Sequence, residues 1–189
     1  MCEESGQPWG YLMRHEVRFS GFGGQGIILS AVILGRAAAL YDNRYAVQTQ
    51  VYGPEARGGA SMSQVVIDDE PILFPKVKIP NLFVIMSQEG FEKYGKNAPA
   101  EATMLIDSGL VHDRPVCRCI EIPATREAKE KLGRDIVANI IMLGSLTEAT
   151  GVVSKEALEK AILASVPKGT EELNLKAMRL GFALALSDQ

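Results

Sequence analysis

Glu16-Val17-Arg18-Phe19-Ser20-Gly21-Phe22-Gly23-Gly24-Gln25-Gly26-Ile27-Ile28-Leu29-Ser30-Ala31 decides the fold class, because its hydrophobic pattern changes character on either side of a glycine cluster. Glu16 to Phe19 is short and partly alternating, which reads as a strand. Ile27 to Leu40 is a long apolar run without proline, which reads as a buried helix. Strand, glycine turn and helix follow one another directly. That order leaves backbone N–H groups unpaired at a helix N-terminus, where the helix dipole also favours an anion. Gly21, Gly23 and Gly26 carry no Cβ, so a ligand or a second backbone can approach.

The spacing of Gly21, Gly23, Gly24, Gln25 and Gly26 matches the dinucleotide fingerprint, which also requires an acid at the end of the second strand. That strand is expected at Arg44 to Gln48, followed by Thr49 and Gln50; Asp42 precedes it. Two readings therefore stand together. The turn holds a small ligand, or it is a tight turn that packs a helix on a sheet.

Working outward, 189 residues suffice for one domain with a full core. A polar extension over residues 1–13 is expected to be flexible, with Met13 an alternative start; one α/β domain is expected over 14–189. Hydrophobic residues at 47% and charged ones at 23% fit a globular chain. The net charge of −3 argues against a nucleic-acid partner. No apolar run reaches membrane-span length, and Met1 to Tyr11 lacks the apolar core of a secretory signal. Cys2, Cys117 and Cys119 suit a reducing cytoplasm. Cys117 and Cys119 share a strand face, but two thiols make an incomplete zinc site and half of a four-thiolate cluster site.

Tyr52-Gly53-Pro54-Glu55-Ala56-Arg57-Gly58-Gly59 is the second unusual stretch. Gly53-Pro54 enforces a turn, and Arg57 stands among small residues with its fork free for a carboxylate or phosphate. The plainer reading pairs Arg57 with Glu55 on a surface loop. Ala60 to Ile67 reads as a strand, with Ile72-Leu73-Phe74 pairing back as a short edge strand and making the sheet mixed. Asn81 to Ser87 is a continuous apolar run, the mark of a central strand, and Ser87 is a fair N-cap for the helix after it. Ser87 and Gln88 join the candidate site, since ligands in open α/β sheets bind beyond the carboxyl ends of strands. Ala102 to Asp107 and Pro115 to Pro123 read as strands, the latter nearer an edge. Thr125 to Leu132, Arg134 to Thr147, a segment capped by Ser154, and Thr170 to Leu186 read as helices. The fold class expected is a three-layer α/β/α sandwich, Rossmann-like, on a mostly parallel mixed sheet.

Catalytic groups are missing from this inventory. There is no nucleophile elbow, no Walker motif and no convincing pair of acids. His15 and His112 read as surface histidines. Asp68-Asp69-Glu70 before Pro71 reads as a solvated turn.

Gly21-Phe22-Gly23-Gly24-Gln25-Gly26 and Tyr52-Gly53-Pro54-Glu55-Ala56-Arg57-Gly58-Gly59, in that order and at that distance, resemble the gamma subunit of 2-oxoacid:ferredoxin oxidoreductases. The resemblance runs from about Arg14 to the C-terminus and includes Asn139 to Gly144 and Val153 to Leu158. It implies a multi-subunit enzyme that oxidatively decarboxylates a 2-oxoacid onto coenzyme A and reduces ferredoxin or a similar acceptor. It implies thiamine diphosphate, Mg²⁺ and iron–sulfur clusters held by alpha, beta and small ferredoxin-like subunits, with no catalytic residue, metal or cofactor held by this chain alone. Tyr52, Gly53, Pro54, Glu55, Arg57, Gly58 and Gly59, with the first glycine turn, become candidate interface or coenzyme A contacts. Phe22, Tyr52, Ala56 and Gly58-Gly59 look more like the 2-oxoglutarate branch than the pyruvate one. Pyruvate and branched-chain types of the same complex, a stand-alone dinucleotide-dependent oxidoreductase, and a non-enzymatic scaffold stay as alternatives.

Overall fold

In the computed structural model, which describes residues 14–51 and 59–187, six strands form one sheet in the order β2-β3-β1-β4-β5-β6. The strands are β1 His15–Phe22, β2 Tyr45–Val51, β3 Ala60–Asp68, β4 Leu82–Ile85, β5 Thr103–Asp107 and β6 Arg118–Ile122. β1, β4, β5 and β6 run parallel, while β3 runs against both β1 and β2.

The sheet is thus mixed and mostly parallel, but the antiparallel strand is not where the sequence places it. Ile72-Leu73-Phe74 forms no strand. β3 instead pairs along its whole length with β1, from His15↔Ile67 to Phe22↔Ala60, and with β2 on its other side. Val65, Val66 and Ile67 are fully buried, so β3 is apolar on both faces and takes an interior place. Pro71 and Pro75 flank the 72–74 segment, and each removes an N–H that a ladder would need. β4 is buried at all four positions in the middle of the sheet, and β6 is an edge, as their patterns imply.

The helices are α1 Ile27–Arg36, α2 Gln88–Gly90, α3 Ala124–Leu132, α4 Ala138–Thr150, α5 Lys155–Leu163 and α6 Glu171–Ser187. Two corrections follow. The run expected as one helix to Leu40 widens into a π-type turn at Ala37–Tyr41. The helix expected from Arg134 begins with a 3₁₀ turn at Asp135–Val137 and reaches Thr150. Ser87 and Ser154 cap as their sequence context implies, accepting from Gly90 N and Ala157 N.

The three layers are unequal. α1 and α3 to α6 share one core with Val17, Phe19, Val84 and Leu105 on one sheet face. The other face is covered around Phe83, Ile85, Met104 and Ile106 by the short helix α2, which continues as a π-type turn at Phe91–Gly95, and by Val111 and Cys117. Cys117 lies in that second core with Cys119 packed against it, and burial pushes the Cys117 thiol up. His15 corrects the surface reading. It opens β1 at 7% exposure, and burial, with Arg44 nearby, lowers its pKa.

α4 is buried on every side from Ala138 to Thr147, and its contact with α6 rests on two glycines. A Cβ on Gly144 would run into Met178 O, and one on Gly181 would run into Ile141 O and come within 2.9 Å of Ser145 N. The two backbones meet directly, and Ser145 Oγ donates to Gly181 O at 2.9 Å.

Candidate functional site

β1, β4, β5 and β6 all end on one edge of the sheet, the place where this architecture leaves backbone groups open. The glycine turn follows β1 there, Ser87 follows β4, Asp107 ends β5, and Thr125 follows β6. β2 ends and β3 begins on the same edge, so both anchors of residues 52–58 rise beside the turn: Ala60 pairs with Phe22 and Val51 with Met62. Tyr52, Gly53, Pro54, Glu55, Arg57 and Gly58 themselves lie outside the described residues. Gly59 is half-buried at the entry to β3.

Gln25 is the internal strut of the turn. Its Oε1 accepts from Phe22 N at 2.6 Å, and its Nε2 donates to Met86 O at 2.8 Å, which ties the turn to the end of β4. Gly21 leaves room for that side chain, since a Cβ there would strike Gln25 Oε1 and Ile27. Gly24 (φ 93°) and Gly26 (φ 73°) hold the left-handed conformation that lets the chain enter α1. A Cβ at Gly26 would also strike the Asn139 amide of α4. Gly23 differs from all of these. It is exposed, its φ is not left-handed, and a Cβ would meet nothing within 4 Å. The tight-turn reading therefore accounts for Gly21, Gly24, Gln25 and Gly26, while nothing among the described residues calls for glycine at 23.

β3 lies between β1 and β2, which removes the geometry of the dinucleotide reading. In that fold the strand carrying the ribose-binding acid is a direct neighbour of the first strand, about 4.8 Å away. Here the end of β2 is two strand spacings away and carries Gln50 rather than an acid.

Two residues missed in the sequence reading close the site. Asp107 is fully buried, and its Oδ2 accepts from Thr125 N at 3.0 Å and Thr125 Oγ1 at 2.5 Å, while Oδ1 accepts from Gly109 N at 3.2 Å. It caps α3 from a neighbouring strand, in place of Pro123, which has no side-chain acceptor. A strand-terminal acid ahead of Ser108-Gly109 was the available signal. Asn139 is 3% exposed and donates a long bond to Gly26 O at 3.4 Å. A cleft of about 170 Å³ opens here between Gly24, Gln25, Met86, Thr125 and Asp135. A more apolar hollow of about 290 Å³ continues past Ile136 to Leu173 and Asn174. Gln88 is taken up internally, with Nε2 on Asp113 at 2.8 Å and Oε1 accepting from His112 N at 2.9 Å.

Burial raises the Asp107 pKa, against the opposing pull of its bonds from Thr125 and Gly109. A carboxyl that holds its proton more tightly when folded adds stability below its ordinary value of 3.8, and that contribution is lost as pH rises through the folded value. Asp107→Asn cannot titrate and supplies one acceptor instead of two. The variant is expected to be less stable at every pH, by about 1–3 kcal/mol. The deficit should be widest below the ordinary carboxylate range and narrow as pH rises above it. Urea midpoints of both proteins across that range would show it; a gap that widens with pH would contradict it.

The described residues contain no group of three or more His, Cys, Asp or Glu side chains placed to hold a metal, and no helix among them is long and apolar enough to cross a membrane. Among the described residues the site is a glycine-hinged, largely backbone-lined edge with Asp107 and Asp135 beside it. The chain belongs to the pyruvate ferredoxin/flavodoxin oxidoreductase family, whose model matches residues 16–184. It is 58% identical over 177 residues to 2-oxoglutarate synthase subunit KorC of Methanocaldococcus jannaschii, covering 92% of this chain and 95% of that one. A solved keto/oxoacid ferredoxin oxidoreductase gamma subunit from Geobacter sulfurreducens PCA superposes with a TM-score of 0.83 at 44% identity, over 92% of this chain and 99% of that chain. Ketoisovalerate oxidoreductase subunit VorA of Methanothermobacter marburgensis is 30% identical over 171 residues; the match takes 87% of this chain but 35% of that longer one.

Proposed function

We propose that this chain is the non-catalytic gamma subunit of a cytoplasmic enzyme that oxidatively decarboxylates 2-oxoglutarate with coenzyme A, giving succinyl-CoA, CO₂ and reduced ferredoxin or a similar acceptor. The observation that carries this reading is the 58% identity to a 2-oxoglutarate synthase subunit along almost the full length of both chains, against 30% for the ketoisovalerate relative. Alpha and beta subunits, with a small ferredoxin-like one, supply thiamine diphosphate, Mg²⁺ and the iron–sulfur clusters. Among the described residues Cys117 is buried and no group of three or more metal-ligating side chains is assembled. Its share is architectural. The carboxyl edge offers Gly23 and Gly24 as an exposed backbone surface, and the end of β2 and the start of β3, which bracket Glu55 and Arg57 in sequence, stand beside it. That pairing suits contact with a neighbouring subunit or with a phosphate of coenzyme A.

The test is purification of the tagged chain with its partners under native conditions. Recovery of thiamine- and cluster-bearing subunits, with coenzyme-A-dependent dye reduction fastest on 2-oxoglutarate, is the expected result. Preference for pyruvate or 3-methyl-2-oxobutanoate would overturn the substrate. A lone homo-oligomer that binds NADH saturably would overturn the subunit reading itself.

A further inference from the structure

We infer that the hollow of about 290 Å³ behind the glycine turn, between α1, α4 and α6, is a binding site for an apolar α-amino acid such as leucine. The inference concerns this chain alone and goes beyond the subunit reading. The wall is apolar, with Leu29 from α1, Ile140 from α4 and Leu173 from α6, and Val166 and Pro167 close one side. Small-molecule sites span roughly 300–1,000 Å³, so this one stands at the small end. It takes a ligand of a few carbons and not a whole nucleotide.

Two side-chain amides interrupt the apolar wall. Asn139 of α4 and Asn174 of α6 are 3% and 6% exposed. Each spends its nitrogen internally. Asn139 Nδ2 donates to Gly26 O at 3.4 Å, and Asn174 Nδ2 donates to Thr170 O at 2.8 Å and Thr170 Oγ1 at 3.1 Å. Neither Oδ1 has a hydrogen-bond partner among the described residues, and neither is sealed off. Both oxygens therefore open onto the hollow that their residues line. A nearly buried acceptor without a donor is costly, and here two share one hollow. They call for a ligand that donates.

The charge around the hollow is one-sided. Among the described residues on its lining Arg134 is the one charged side chain, and no acid among the described residues pairs with it. Asp135 lines the adjoining cleft, and the two acids that open α6 are taken up by Gly169 N and Lys176. The N-terminus of α1 adds to the positive side. Its N-cap is Gly26, which has no side chain to accept from the free N–H groups, and its first turn holds no acid. Both features favour a carboxylate. The Asn139 amide lies against Gly26, so the site that wants a donor adjoins the site that wants an anion. An ammonium and a carboxylate on one carbon, followed by an aliphatic side chain, meet all three demands. A fatty acid leaves the amide oxygens without a donor, and an alkyl amine leaves Arg134 without an anion. A dicarboxylic amino acid would bring a second charge onto the apolar wall.

Isothermal titration of the full chain with L-leucine tests this, beside isocaproate, which lacks the ammonium, isopentylamine, which lacks the carboxylate, and L-glutamate. Leucine should bind saturably with a Kd of ~1 mM or tighter. Each of the other three should bind at least roughly tenfold more weakly, as expected when a charge-assisted bond is lost. Arg134→Gln, a change at an exposed side chain, should weaken leucine by roughly tenfold and leave isopentylamine as it was. Asn174→Ala should weaken leucine and isopentylamine alike and leave isocaproate unchanged, with the melting temperature of each variant checking that it folds. Absence of saturable leucine binding overturns the inference. So does isocaproate binding as tightly as leucine, since the amide oxygens would then select nothing. Leucine binding that both variants leave intact places it elsewhere and also overturns the site. Coenzyme A binding in the hollow without any affinity for leucine would do the same. Failure of the subunit reading would leave every one of these outcomes readable, because none of them needs a partner chain.

Discussion

Gly181→Val should cost more stability than any other single change in the helical layer, on the order of 4 kcal/mol or more. The reason is that the obstacle is backbone, not side chain. A Cβ at 181 points at Ile141 O and Ser145 N of α4, and a Cβ at 144 points at Met178 O of α6. A side chain can change rotamer, but a carbonyl inside α4 moves only if the helix moves. Helices normally pack with axes 8–10 Å apart, and two glycines at the crossing hold this pair at the close end of such contacts. A valine forces the axes apart along helices of 13 and 17 residues, and Ile141, Ala177 and Met178 lose packing together. The bond from Ser145 Oγ to Gly181 O goes with them. Gly181→Ala should show the same effect at about 2–3 kcal/mol. Urea unfolding checks this through a lower midpoint with unchanged slope. A midpoint within error of the wild type would mean that the crossing is loose.

Much of the fold was readable because its signals are local. A strand, a glycine turn and a helix leave their periods in sequence, and so does a four-residue strand buried on both faces. β3 was the failure. Its strand character is plain in the residues, but nothing nearby says that it pairs with β1, more than forty positions upstream, instead of with the residues just after it. Long-range antiparallel pairing depends on which register buries Val65, Val66 and Ile67 at once, and a window of sequence does not contain that information. His15 was misread for a similar reason. A histidine ahead of an apolar strand is usually exposed, and here the start of the strand itself is covered.

The candidate site was legible as a motif but not as a mechanism. The sequence marks the glycines without saying which of them the chain needs for itself. In the structure Gly21 makes space for Gln25, and Gly24 and Gly26 supply left-handed backbone; Gly23 meets no demand from the other described residues. Asp107 and Asn139 escaped notice because each acts on a partner remote in sequence, Thr125 and Gly26 respectively. An acid at a strand end and an amide in an apolar helix carry no signature until the elements are brought together.

Gly26 is where turn, helix and core meet, and Gly26→Ala is expected to be the second most damaging change, at about 3 kcal/mol. Two separable costs add there. The left-handed backbone, with φ at 73°, costs an L-residue about 1–2 kcal/mol. The rest comes from the new methyl striking the Asn139 amide, which is 3% exposed in α4. The first cost belongs to residue 26 alone, while the second needs both residues, so a double-mutant cycle separates them. Asn139→Ala alone should be mildly destabilising, since it gives up a long hydrogen bond to Gly26 O and leaves a small void. In the double variant Gly26→Ala/Asn139→Ala the void receives the methyl. Its loss should fall below the sum of the single losses by about 1–2 kcal/mol. Gly26→Asn with Asn139 intact should behave differently, because asparagine tolerates the left-handed region but still carries the Cβ. If Gly26→Asn loses clearly less than Gly26→Ala and the cycle shows no coupling, backbone strain is the whole effect, and α4 is not packed against the turn as tightly as the Asn139 contact requires.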